Sequence, residues 1–276
     1  MQLYLGKPFD DLWRAGDPFE RASALQGQVR RAMNGRRTLR FSANGSHYYA
    51  KVYQGVGWRE IVKNLAQLKW PVLSARNEWT ALNLLRRIGV ETLNPVAFGL
   101  RGRNPAHLES FLITAELTET CSLEDFCRDW LRNPPPAWLK RALIERLAGM
   151  VRRMHRSGMN HRDCYLCHFH LHVPEGPEGL RGEDLHLFMI DLHRAQLRRR
   201  TPQRWLIKDL AGLYFSALDI GLTAADCCRF LAAYEQEPLR EILPRHAGFW
   251  RRVVRTADAL YRKEFGKAPS KIHGIP

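Results

Sequence analysis

The sequence predicts an α+β protein of two lobes, a smaller strand-rich one followed by a larger helical one. Three observations carry that reading. Apolar runs flank Asn44-Gly45, with Leu39 and Phe41 before it and Tyr48 to Tyr53 after it, the pattern of a β-hairpin. One apolar stripe, Leu139, Leu143, Leu147, Met150 and Met154, then marks a long helix that Gly158 can close. From about Gln203 to Lys263 the pattern stays helical almost throughout.

Each element follows in order. Residues 1–35 read as an amphipathic arm, with helical potential from Asp17 to Met33. The small lobe is expected over 36–120 and the large lobe over 121–276, the composition changing near Thr118 to Ser122. After the hairpin, a helix should start near Ser74 and end at Gly89. Glu78 shares a face there with Leu82 and Leu85, so its carboxylate needs a cationic partner. Pro95 to Gly99 and Ser110 to Glu116 read as strands. Phe169, Leu171 and Val173 alternate with histidines, as a half-buried strand would. A polar loop opens at Pro174-Glu175-Gly176-Pro177, and the apolar strand Leu187 to Ile190 ends on Asp191.

The chain has 276 residues, 45% hydrophobic and 26% charged, enough for a sizeable core. Its 43 Lys and Arg against 28 Asp and Glu leave a formal charge of +15, which draws polyanions. The basic residues match no recognisable nucleic-acid module, so nucleic acid is not the expected partner. No stretch reaches the ~18–20 apolar residues of a membrane span. Met1 to Lys7 lacks the features of an export signal, and the six cysteines are scattered, so a reducing cytoplasm is expected. Cys164 and Cys167 with His168, His170 and His172 give a weak zinc signal, since one such pair without a second is unspecific.

Four features stand in an order that has chemical meaning. They are Lys51 on a strand, Glu78 on the next helix, His161-Arg162-Asp163 after the long helix, and Asp191 at a strand end. Phosphoryl transfer from a nucleotide needs a cation on the phosphates and a carboxylate that holds it. It also needs a carboxylate that orients the attacking hydroxyl and another that binds Mg²⁺. Lys51, Glu78, Asp163 and Asp191 suit these roles in turn.

Tyr49-Ala50-Lys51, Glu78, His161-Arg162-Asp163 and Ile190-Asp191-Leu192-His193 resemble the protein-kinase-like superfamily. The likeness sharpens at Arg37-Thr38-Leu39-Arg40, Asn160-His161-Arg162-Asp163-Cys164-Tyr165, Cys167-His168-Phe169, Ile190 to Ala195, and Lys208 to Ser216. Those strings are similar to the lipopolysaccharide core heptose(I) kinases, the WaaP family, from about Pro8 to Glu264.

The resemblance implies a protein-kinase-like fold and ATP- and Mg²⁺-dependent phosphorylation of heptose I of the inner core, at its 4-hydroxyl. It implies a lipid A–core glycolipid acceptor and work at the cytoplasmic face of the inner membrane of a Gram-negative bacterium, as a peripheral protein on an anionic surface. Asp163, Lys51 and Glu78 would be catalytic, and Lys51, Glu116 and Leu117 would bind the nucleotide. Asp191 and His168 would hold the metal, with Asp209, Arg162 and His161 in support. The alternatives are a kinase of 3-deoxy-D-manno-octulosonate (Kdo), a protein kinase, and a pseudokinase-like binding protein on the membrane.

Departures from ordinary protein kinases are informative. No G-x-G-x-x-G precedes Lys51, and the hairpin offers only Gly45, so the phosphate-covering loop must rely on other contacts. His168 stands where an Asn usually binds metal, although Mg²⁺ prefers oxygen. No Ala-Pro-Glu follows Asp191, which argues against a switchable protein kinase. The basic run Arg194, Arg198, Arg199, Arg200, Arg204 and Lys208 is a candidate surface for lipid A phosphates, Kdo carboxylates or an anionic leaflet.

Overall fold

A computed structural model describes residues 1–33, 35–67, 71–176, 179–181 and 185–270. Two compact units emerge: residues 1–84 and 93–117 with 192–194, and residues 85–92, 118–191 and 195–276.

The first unit is built on a six-stranded antiparallel sheet. Its strands are β1 (Gln2–Leu5), β2 (Gln28–Met33), β3 (Arg36–Ala43), β4 (Ser46–Gln54), β5 (Pro95–Arg101) and β6 (Glu109–Ala115), in the order β1-β5-β6-β4-β3-β2. Asn44 and Gly45 close β3 onto β4 with φ of 48° and 75°, the left-handed pair that a tight hairpin turn demands. Four helices accompany the sheet: α1 (Phe9–Leu12), α2 (Pro18–Ala24), α3 (Gly57–Ala66) and α4 (Arg76–Arg87).

Strand periodicity divides the work of β4. Tyr48, Ala50 and Val52 are buried with Leu39, Phe41, Phe111 and Ile113 in a core that Phe9, Trp13 and Phe19 complete. Lys51, pointing the other way, is kept out of that core.

The N-terminal residues are not an arm. Gln2–Leu5 pairs with β5, from Gln2 opposite Leu100 to Leu5 opposite Ala97. The helix expected to run to Met33 stops at Ala24, and Gln28–Met33 instead pairs with β3. Helical propensity holds over 18–24, where Phe19 and Ala22 are buried against the core, and yields to pairing with β3 over 28–33.

The second unit is mainly helical: α5 (Leu123–Phe126), α6 (Ala137–Arg156), α7 (Gln203–Ser216), α8 (Ala224–Glu235) and α9 (Leu239–Phe265). The stripe of α6 is buried as its spacing requires, including Leu139, Leu143, Leu147, Met150 and Met154. Short strands β7 (Thr120–Ser122), β9 (Phe169–His172) and β10 (Leu187–Met189) form one sheet, and β8 (Met159–Asn160) pairs with β11 (Gln196–Leu197). The far end of the polar loop that begins at Pro174, with Pro177, lies outside the described residues. No helix among the described residues is long and apolar enough to cross a membrane.

Candidate active site

In the first unit, β4 and α4 bring Lys51 and Glu78 together. The ammonium lies 2.7 Å and 2.9 Å from the two carboxylate oxygens. Glu78 is 1% exposed and Lys51 18%, so the pair is shielded on the carboxylate side and open at the lysine. Such a pair fixes where the ammonium points, and removing Lys51 would strand a buried carboxylate.

Gly45 lies far from the lysine. Lys51 stands opposite Thr38, three residues from Gly35, so Gly35 is about 10 Å away along the strand. Gly45 is six residues from Lys51, about 20 Å. Glu116 is already committed. Its carboxylate takes two hydrogen bonds of 2.7 Å from Arg40, and its N–H donates to the His47 carbonyl at 3.0 Å.

In the second unit, α6 delivers the chain to the His161-Arg162-Asp163 loop. Gly158 is needed at the exit: its φ is 85°, and a Cβ there would lie 1.9 Å from the Arg198 carbonyl oxygen. The loop then hangs on Asp209 of α7, which is fully buried. Its carboxylate accepts the backbone N–H groups of His161 at 2.6 Å and Arg162 at 2.9 Å. Arg162 takes a positive φ of 76°, a backbone state for a non-glycine residue that these bonds sustain.

His155 and Tyr234 extend the brace. The His155 ring lies 3.3 Å from Asp209 and 2.9 Å from the Tyr234 hydroxyl, and all three residues are buried. Neither had a signal in the sequence, because α6 and α8 meet α7 only in the fold.

Asp163 and Asp191 are joined through His168. The His168 Nδ1 donates to the Asp163 carbonyl at 2.7 Å, and its Nε2 lies 3.6 Å from the Asp191 carboxylate. The His168 carbonyl accepts the Ile190 N–H at 2.9 Å, and Asp191 leaves the strand with φ 58°. Burial pulls the His168 imidazolium down. Hydrogen bonds with Cys167 and the Asp163 carbonyl, and the charges of Cys167 and Asp191, outweigh it and carry the pKa up to about 9.

His161 stacks on His168 with ring centroids 5.6 Å apart. Burial holds its own pKa below the usual value, and its Nε2 donates to the Ile190 carbonyl at 3.0 Å. The zinc alternative has no support in this geometry. Burial pushes the Cys164 thiol well up, away from the thiolate that zinc requires. Among the described residues no group of three or more His, Cys, Asp or Glu could hold a metal ion.

Residues 20–234 match the lipopolysaccharide kinase (Kdo/WaaP) family. The chain belongs to that family. It is 52% identical over 264 residues to the lipopolysaccharide core heptose(I) kinase WaaP of Pseudomonas aeruginosa PAO1, covering 96% of this chain and 97% of that one. It is 49% identical over 265 residues to the Escherichia coli protein of the same name, covering 96% and 98%. A solved structure described as WaaP in complex with acyl carrier protein superposes with a TM-score of 0.82 at 49% identity, over 95% of this chain and all of that one. The expected kinase-like fold, with a sheet-based N-terminal region and a helical C-terminal region, therefore holds, and family membership makes the chain a phosphotransferase.

Proposed function

We propose that the protein transfers the γ-phosphoryl group of ATP to a hydroxyl of heptose I in the lipopolysaccharide inner core. The observation that carries the chemistry is the Asp163–His168–Asp191 linkage, braced by Asp209. Relatives named heptose(I) kinases, at about half identity over nearly the whole chain, favour that acceptor over Kdo. Asp163 orients the sugar hydroxyl and takes its proton, Lys51 grips the phosphates, and Glu78 holds Lys51. Residues 36–120 would serve the nucleotide, with the backbone at Glu116 and Leu117 against adenine. Residues 121–276 would serve the acceptor. Mass spectrometry of core oligosaccharide from a deletion strain tests the assignment. One phosphate should be lost at heptose I, and loss at Kdo instead would overturn it.

Asp191 supplies the carboxylate that Mg²⁺ prefers. His168, which gives its Nδ1–H to the Asp163 carbonyl and faces Asp191 through Nε2, would join it as a ligand only once a bound ion displaces the Nε2 proton. A bound ion there neutralises charge on the transferring group. Asp191→Ala should abolish Mn²⁺ binding seen by electron paramagnetic resonance, and His168→Ala should weaken it. Wild-type affinity in both variants would refute this site.

The superposed relative's complex with an acyl carrier protein suggests the same partner here. The second unit holds an apolar cavity of about 480 Å³, lined by residues including Leu143, Leu147, Leu213, Ile220, Phe230 and Val254. It suits an acyl chain, each buried methylene contributing about 0.8 kcal/mol. Acylated carrier protein should raise the melting temperature and carrier without an acyl chain should not. Equal effects of the two would exclude the cavity as the acyl site.

A peripheral position at the cytoplasmic face of the inner membrane is supported by α3. Ile61 is buried, whereas Trp58, Val62 and Leu65 are 55%, 60% and 48% exposed on one stripe, beside the cations Arg59 and Lys63. That is the pattern of a helix lying in an anionic interface. Trp58→Ser/Val62→Asn/Leu65→Ser should weaken binding to phosphatidylglycerol vesicles by about tenfold or more. Undiminished co-sedimentation would rule α3 out.

A further inference from the structure

The basic run of residues 194–208 does more than charge the surface, because the fold gathers part of it onto one ring. Around the indole of Trp205 lie the guanidinium of Arg162 at 5.4 Å, that of Arg198 at 5.8 Å, that of Arg204 at 5.5 Å and the ammonium of Lys208 at 5.3 Å. Arg162 is the chain neighbour of Asp163, so the cluster flanks the proposed base. An aromatic face attracts a cation, yet four cations about one ring also repel each other.

Further observations point to an anion. Trp205, Arg204 and Lys208 occupy the first turns of α7, a 14-residue helix that has no side-chain cap and no acidic residue in its first turn. Helix N-termini normally carry carboxylates or bind anions, and this one carries cations instead. The only carboxylate on α7, Asp209, is fully buried and accepts N–H groups of the catalytic loop. Arg198 hydrogen bonds to neutral amide oxygens, Asn160 Oδ1 at 2.8 Å and Gln196 Oε1 at 2.6 Å. The Trp205 Nε1 is buried with no hydrogen-bond acceptor among the described residues.

We propose that this cluster is an acceptor subsite, which holds a carboxylate or phosphate group of the glycolipid while Asp163 addresses the neighbouring sugar hydroxyl. The proposal rests on the glycolipid kinase reading above. The phosphates of ATP have their own partners in that reading, Lys51 and the metal on Asp191. The cluster therefore selects the acceptor by its charge next to the reacting hydroxyl, and a neutral sugar would lack that grip.

Steady-state kinetics of the full-length enzyme test this with three acceptors: intact core glycolipid, glycolipid with its carboxylates reduced to alcohols, and dephosphorylated glycolipid. The variants are Arg204→Gln/Lys208→Gln, whose side chains are exposed and safe for folding, and Arg198→Gln. Each should raise KM for the intact acceptor by roughly 10- to 100-fold while KM for ATP changes less than about twofold. Whichever acceptor has lost the recognised anion should be bound equally weakly by wild type and variants, which identifies carboxylate or phosphate as the group held. Equal losses on all three acceptors, or a rise in KM for ATP, would overturn the subsite. Wild-type values for every variant would overturn it alone, whereas a wild-type enzyme inactive on all three acceptors would overturn the kinase reading with it.

Discussion

Replacing Asp163 by asparagine is expected to lower kcat by about three orders of magnitude, the middle of the range that a positioned base contributes. The loop should survive the change. Its geometry depends on backbone groups: the Asp163 carbonyl accepts from Tyr165 N–H at 3.1 Å and from His168 Nδ1 at 2.7 Å. Asparagine leaves both bonds in place and removes only the carboxylate proposed to take the sugar hydroxyl's proton. Nucleotide affinity should stay within about twofold, since Lys51 and Glu78 are untouched. Single-turnover transfer of labelled γ-phosphate to core glycolipid is the measurement. More than a tenth of the wild-type rate would remove Asp163 from the role of base.

Asp209→Ala should be the most destabilising single change in the site. It strips the acceptor from two backbone N–H groups and from the buried His155 ring at once. Leaving such groups unsatisfied costs on the order of 3–5 kcal/mol, or roughly 10 °C in melting temperature for a chain of this size. Asp209→Asn keeps one acceptor oxygen but turns an amide N–H₂ towards a backbone donor. It should therefore recover part of the stability and little of the activity, because the loop can no longer hold Arg162 at its positive φ. Calorimetry beside kcat separates these outcomes. A wild-type melting temperature in Asp209→Ala would mean that the brace is redundant.

Much of the fold was legible because it is written in short-range patterns. The Asn44-Gly45 turn, the apolar stripe of α6 and the alternation through Phe169 and Leu171 each depend on neighbours a few residues apart. The N-terminal 33 residues were misread for the complementary reason. β1 and β2 owe their form to partners at 97–100 and 36–40, which local propensity cannot report. His155 and Tyr234 were invisible as site residues, since a histidine in a helical stripe looks the same whether or not an aspartate faces it.

By itself the sequence determined the order of the chemistry: a lysine, a glutamate, His161-Arg162-Asp163, then an aspartate after a strand. Order along the chain survives in sequence because each group must sit on a particular element, and that sufficed for the family. The tertiary structure alone decided what each group touches. It placed Glu78 on Lys51, tied Asp163 to Asp191 through one imidazole, hung the loop on Asp209, and gathered cations from positions 162, 198, 204 and 208 around one indole. Hydrogen bonds and cation–ring contacts act over a few ångströms, so they register only after folding has brought remote residues within reach.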